Sequence, residues 1–321
     1  MRDKMSDKTK RIIYIAISLL CVAVILLFVF LFSRGRNDAD AVTIKDTLID
    51  GAGKEATVII LAGQSNASGA SRDEYLRKNV TPEKYAEYES GYSNVFINYV
   101  AGPKVSGEFV KCGVRQGEID AGFGPELGIA DKLHEAYPER TFFIIKCAWG
   151  GSNLYDQWLS PESFGKTGEL YKSFVKFVNA NLEYLESKNY NAKIEAMCWM
   201  QGESDSLSVD NATDYEKHLK NLINDVRKEF KDYASNDGIA FVDALIADNP
   251  KLWLHFDLVN QSKRSVCDLS DMNSLIDTVA EGLSCAEEPE EEPDLAHYDS
   301  LSEIKLGHLF AVEAIKFFDR K

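Results

Sequence analysis

Apolar runs alternate with amphipathic stretches along most of this chain. Thr57-Val58-Ile59-Ile60-Leu61-Ala62 carries no charge, and 141–148, 194–200 and 239–244 repeat that texture with one charge each. A fifth run lies near 95–100. Strands buried on both faces look like this, whereas a strand with one wet face alternates polar and apolar. Between the runs, apolar residues recur at helical spacing. Leu127, Ala130, Leu133 and His134 share one face of a helix predicted over 125–136, and similar patterns cover 169–187, 213–231 and 301–319. Strand and helix in alternation predict an α/β domain with a central parallel sheet covered on both faces. Residues 253–293 break the rhythm. They read as a long loop with a short helix near 271–283 and an acidic stretch, Glu287-Glu288-Pro289-Glu290-Glu291-Glu292-Pro293.

The amino-terminal region differs in kind. Ile12 to Phe32 runs without a charge or a proline, about the length that crosses a bilayer as one helix. Arg2, Lys4, Lys8, Lys10 and Arg11 precede it, and Arg34 and Arg36 follow. The basic excess on the amino side keeps that end in the cytoplasm. A signal peptide is the competing reading, but its apolar core is usually shorter and followed by a small-residue cleavage site, whereas this run exits through the bulky Phe30-Leu31-Phe32-Ser33-Arg34. The expected organisation is a cytoplasmic tail over 1–11, an uncleaved transmembrane anchor over 12–32, a polar stalk over 33–55 and an external domain over 56–321. A bacterial cell surface is the expected location.

Charge narrows the partners. The net charge is −15, although residues 1–36 hold seven Lys/Arg against two Asp/Glu. The remainder, with 29 basic and 49 acidic residues, is not built to bind nucleic acid or anionic lipid by charge. Of six cysteines, Cys147 and Cys198 fall in strand-like runs and read as buried thiols. Cys267 and Cys285 flank one segment and are a candidate disulfide for an exported domain. No Cys-x-x-Cys pair occurs, so no zinc site of that type is suggested, and no cofactor or metal is called for.

The chemistry-bearing residues fall after the strands. Gly63-Gln64-Ser65-Asn66 follows the first run, Gly150-Gly151-Ser152 the 141–148 run, and Gln201-Gly202-Glu203-Ser204-Asp205 the 194–200 run. Parallel sheets bind ligands beyond the carboxyl ends of their strands, so three segments converge on one rim. A serine hydroxyl needs a base to take its proton, and that base is usually a histidine oriented by a carboxylate. Of five histidines, His134, His218 and His308 lie on helical faces and His255 is a modest rival. His297 is the leading base because Asp294 lies three residues before it. The backbone N–H of Ser65, an N–H of Gly150 or Gly151, and the Gln201 amide are candidate oxyanion donors. Glu203 and Asp205 read as supporting carboxylates. Gly124-Pro125-Glu126 opens a helix with Pro125 near its first turn, and Glu126 is a candidate to face the cleft. Gln64, Asn66 and Ser152 are candidates to support the site or touch substrate. Trp149, Tyr155, Trp158 and Tyr298 are candidates for an apolar or sugar-stacking wall.

These blocks resemble the SGNH-hydrolase superfamily, in the branch of sialate O-acetylesterase-like proteins and carbohydrate esterase family 6. Gly-Gln-Ser-Asn at 63–66, Gly150-Gly151-Ser152, Gln201-Gly202-Glu203-Ser204-Asp205 and Asp294-x-x-His297 carry the likeness over roughly 56–320. Tyr298-Asp299-Ser300 and Leu306-Gly307 fit the same pattern. The resemblance implies a three-layer, flavodoxin-like fold and deacetylation of O-acetylated sugars without a metal, with Ser65, His297 and Asp294 as triad. An α/β-hydrolase is disfavoured, because its elbow is Gly-x-Ser-x-Gly and position 67 is Ala. A sugar O-acetyltransferase and a glycan-binding module on the same fold are the alternatives.

Overall fold

A computed structural model describes residues 42–163 and 165–318. The expected tail, the anchor over 12–32 and the first part of the stalk lie outside the described residues. Among those described, no helix is long and apolar enough to cross a membrane. The strands are β1 (Glu55–Gly63), β2 (Ser71–Arg72), β3 (Val95–Ala101), β4 (Lys104–Val105), β5 (Val110–Lys111), β6 (Gly122–Phe123), β7 (Phe142–Ala148), β8 (Asn191–Met200), β9 (Ala240–Ala244) and β10 (Asn273–Ile276). The helices are α1 (Ser65–Ser68), α2 (Asp73–Asn79), α3 (Pro82–Ser90), α4 (Glu126–Ala136), α5 (Glu169–Ser187), α6 (Val209–Glu229), α7 (Phe256–Cys267) and α8 (Ser300–Ile315).

The fold is mixed α/β around one large sheet of order β10-β9-β8-β1-β7-β3-β4, with β5 also paired to β3. The six longer strands run parallel, and the short β4 and β5 pair antiparallel to β3. Every residue of β7 and β9 is buried, as are all but the first of β1. Consecutive buried positions on a strand face opposite ways, so the sheet is covered on both sides, as the apolar runs predict. With β3 and the short strands beyond it set aside, the core order is β7-β1-β8-β9-β10. The connection after β1 leads to one side of it and the next crosses to the other. The switch point, where such sheets open a crevice, therefore lies between β1 and β8.

The 253–293 region departs from the sequence expectation. Its amino half is helix α7, and the helix expected over 271–283 is replaced by β10, which extends the sheet beside β9. α7 hides its periodicity because its buried face is largely polar. Asn260 bonds Ile246 through both its oxygen (2.9 Å) and its nitrogen (2.9 Å), and Lys263 pairs with Asp243 at 2.6 Å. Cys267 and Cys285, the candidate disulfide pair, are free thiols. Cys267 closes α7 near Asp243, whereas Cys285 lies near Asp299. Cys147 and Cys198 are buried, as expected. Residues 42–54, within the stretch read as stalk, form no helix or strand. They are tied to the domain by Thr47 N–H to Tyr184 Oη (3.0 Å) and Gly51 N–H to Lys188 O (2.7 Å).

Candidate active site

The central strands end in register: Gly63 of β1 lies opposite Ala148 of β7 on one side and Met200 of β8 on the other. Neighbouring strands are about 4.8 Å apart, so Ser65, Gly150 and Gln201 emerge side by side at the switch point. Gly63 is required there. Its φ is +143°, and a Cβ would collide with Met200 O. Gln64 N–H donates to Met200 O (2.9 Å) and Trp149 N–H to Gly63 O (3.0 Å), which knits the rim.

Ser65 is the first residue of α1 and is partly exposed, whereas Gln64, Asn66, Ala67 and Ser68 are buried. The one-turn helix turns the chain away from β1 at once and leaves Ser65 at the surface of the rim.

Asp294 and His297 sit on a turn that Asp294 itself builds. Asp294 Oδ1 accepts from the backbone N–H of Ala296 (2.8 Å) and His297 (2.9 Å), and Leu295 adopts a left-handed φ of +62°. Asp side chains favour such turns by mimicking a backbone acceptor. The other oxygen, Oδ2, is 2.8 Å from His297 Nδ1, so with Nδ1 protonated the far nitrogen, Nε2, is left as acceptor. Burial acts to raise the Asp294 carboxyl, but the His297 hydrogen bond and charge and the two backbone donors hold it below its ordinary value.

Asn66 links this turn to Ser65. Its Nδ2 donates to Ala296 O (3.2 Å) and its Oδ1 accepts from Tyr298 N–H (3.1 Å), so it grips the residues on either side of His297. The same Nδ2 donates to Glu203 Oε1 at 2.8 Å. The residue after Ser65 is thereby fastened to both neighbours of His297 and to the segment after β8. Glu203 is buried, its second oxygen has no partner among the described residues, and desolvation pushes its carboxyl up.

Gln201 is wholly buried. Its Nε2 faces Gln64 Oε1 (3.2 Å), Ser152 O (3.1 Å) and Asp205 Oδ2 (2.6 Å), and its Oε1 accepts from Tyr215 Oη (3.0 Å). Gln64 Oε1 also accepts from Ser204 N–H (3.2 Å). Ser152 Oγ donates to Trp149 O (2.7 Å) and accepts from Trp158 Nε1 (2.8 Å). These groups brace three loops against one another. Gly150 N–H donates to Glu118 Oε2 (2.9 Å). Among the described residues, the N–H groups of Ser65 and Gly151 meet no acceptor.

Glu126 does not face the cleft. It is fully buried, with Oε1 accepting from Gly124 N–H (2.9 Å) and Oε2 paired with the equally buried Lys146 (2.7 Å). A carboxylate in the low-dielectric interior needs such a partner, and Lys146 is the one charge in the β7 run. Gly307 supports the same corner, since a Cβ there would strike Pro125 O and part α8 from α4. Trp158 and Tyr298 are core residues, whereas Tyr155 is exposed and Trp149 partly so. His134 bonds Asn94 (2.6 Å), His308 bonds Asp131 (2.9 Å) and His218 stacks on Tyr155 at 5.7 Å. Sequence reasoning missed Glu118, which has no neighbouring motif to mark it.

The sequence profile for "carbohydrate esterase, sialic acid-specific acetylesterase" matches residues 55–316. No curated protein sequence matches the chain. Solved structures do. NanS aligns with a TM-score of 0.62 and 16% identity, covering 84% of this chain and 99% of its own. A protein of Arabidopsis thaliana aligns with a TM-score of 0.59 and 19% identity, covering 82% and 98%. A carbohydrate acetylesterase from Xanthomonas citri gives 0.54 and 16%, covering 82% of this chain and 56% of its own. At these identities the likeness is one of fold. The profile spans most of the chain, which thus belongs to the carbohydrate esterase family of sialic acid-specific acetylesterases.

Proposed function

We propose that this member removes acetyl groups from O-acetylated sugars by a serine mechanism on a three-layer, flavodoxin-like SGNH scaffold. The observation that carries the reading is the Asn66 link, which fastens the turn holding the Asp294–His297 pair to the residue after Ser65. His297 Nε2 takes the proton of Ser65 as Oγ attacks the acetyl carbonyl, and Asp294 stabilises the imidazolium that forms. The tetrahedral oxyanion is held by the N–H groups of Ser65 and Gly151, which no described acceptor occupies. Gly150 and Gln201, whose donors are engaged, hold the loops that aim them. His297 then protonates the sugar oxygen as the C–O bond breaks. Water, deprotonated by His297, attacks the acetyl-serine and releases acetate. The uninterrupted apolar run over 12–32 supports display of the domain outside a bacterial membrane.

The test is acetate release by the full-length protein in detergent from a panel of acetylated sugars, beside Ser65→Ala. Loss of a nucleophile of this type typically costs about 10⁶-fold in kcat, so the variant is expected to fall to background. Release that survives in Ser65→Ala overturns the serine mechanism. Transfer to an added sugar with no acetate formed in its absence overturns hydrolysis.

A further inference from the structure

Glu118 is a polar group at the rim that this mechanism leaves unused, and the fold makes a seat for it. The chain passes two glycines at the ends of adjacent strands, Gly102 after β3 and Gly150 after β7. A Cβ on Gly102 would come within 2.5 Å of Glu118 Oε1, and one on Gly150 within 2.6 Å of Oε2. Any side chain at either position would displace the carboxylate. Its backbone is fixed as well, since Glu118 N–H donates to Ser68 O (3.0 Å) and Gly69 O (2.9 Å), both at the end of the helix that Ser65 begins. Oε2 accepts from Gly150 N–H (2.9 Å) and from Ser68 Oγ.

The other oxygen is different. Oε1 has no donor among the described residues and no Lys or Arg there pairs with the carboxylate, yet the residue is only partly buried. An ionised carboxylate only accepts, and it binds a hydroxyl more strongly than a neutral oxygen does. It also repels a second carboxylate brought to the same cleft, and like charges set together at a contact discriminate strongly.

We propose that Glu118 is a specificity-determining residue: its Oε1 accepts a hydroxyl of the substrate sugar, and its charge turns away sugars that carry a carboxylate. The substrate class is then a neutral O-acetylated sugar, although the family takes its description from an acidic one. This rests on the esterase reading above.

The experiment compares kcat/KM of the full-length protein for an acetylated neutral pentose or hexose with that for an O-acetylated sialic acid. The ratio cancels any common effect on turnover. Wild type is expected to favour the neutral sugar. Glu118→Gln keeps an oxygen for Gly150 N–H and Ser68 Oγ but loses the charge, and should narrow the ratio by about tenfold or more. Raising ionic strength should narrow the wild-type ratio in the same direction, a readout that needs no variant to fold. A wild-type preference for the sialic acid, a ratio indifferent to salt, or one unchanged in Glu118→Gln would each overturn the role of Glu118 while leaving the esterase intact. Acetate release from neither sugar by wild type would overturn the esterase reading and this inference with it.

Discussion

The two halves of the site are held in opposite ways. On the sheet side, Gln64, Asn66, Gln201, Glu203 and Asp205 are all buried, and their side chains bond chiefly to one another and to loop backbone. On the other side, the side chains of Asp294 and His297 stay 45% and 32% exposed, on a turn outside any helix or strand. In the buried half an unpaired polar group costs stability, and apart from Glu203 Oε2 its side chains are held by partners within the described residues. The exposed half owes its shape to Asp294's own bonds and to Asn66, which reaches across from the buried half. Asp294 and His297, the proposed acid and base, thus ride on irregular chain braced by the scaffold beneath them.

The largest effect that tests this division falls on the exposed half. Asp294→Asn leaves an acceptor for the backbone N–H groups but disturbs the tautomer of His297. In a triad this change costs about 10⁴-fold in kcat. Because the residue is half exposed, the melting temperature should hardly move. A loss of stability as large as the loss of turnover would mean that the turn is structural and the pair idle.

Asn66→Ala breaks the link between the halves. It strands the carboxyl of Glu203, whose other oxygen is already unpartnered, and frees Ala296 O and Tyr298 N–H. A misplacement of about 1 Å costs about 100-fold in rate, and unsatisfied buried groups cost about 1–3 kcal/mol each. The expected result is a fall in kcat near 100-fold with KM nearly unchanged, together with a lower Tm. A lower Tm with full activity would show that the turn finds its place without Asn66.

The same division decides what the sequence discloses. Ser65, Gly150 and Gln201 are legible because each directly follows an apolar run, and parallel strands that end in register must bring such residues together. Asp294 and His297 are legible because the turn is local. α7 was not legible, since Asn260, Ser262 and Lys263 occupy buried positions where the helical pattern calls for apolar residues. Ile246 and Asp243, the partners of Asn260 and Lys263, are far enough away in sequence to give no local sign, and Ser262 bonds only back to Leu258 O on its own helix. β10 is four residues long and only its last residue is buried, too short and too wet to read as a strand. Glu118 was hidden for a third reason. What marks it is the room left by Gly102 and Gly150, and glycines 48 positions apart disclose a shared neighbour only once the strands are paired.

Acid should separate the two halves by sign. Asp205 accepts from Leu154 N–H (2.8 Å), Tyr155 N–H (3.0 Å) and Gln201 Nε2 (2.6 Å), yet complete burial outweighs these donors and pushes its carboxyl up to about 6 from 3.8. Between those values the native state holds a proton that the unfolded chain has released, so the contribution of Asp205 to stability is full below about pH 4 and declines as pH rises toward 6. Asp294, held below its ordinary value, contributes in the opposite sense: its stabilisation is present above that value and is lost as pH falls through the folded one. Asp205→Asn removes the first titration and sets an amide against three donors, with a cost of about 1–3 kcal/mol. For a domain of this size that is a few degrees in Tm. The deficit of the variant relative to wild type should be greatest near pH 4 and shrink toward pH 7, as wild type gives up its protonated-state advantage. Melting curves of both proteins across that range read the sign directly. A deficit that grows with pH would mean that Asp205 is ionised throughout, and that the donors around it outweigh its burial.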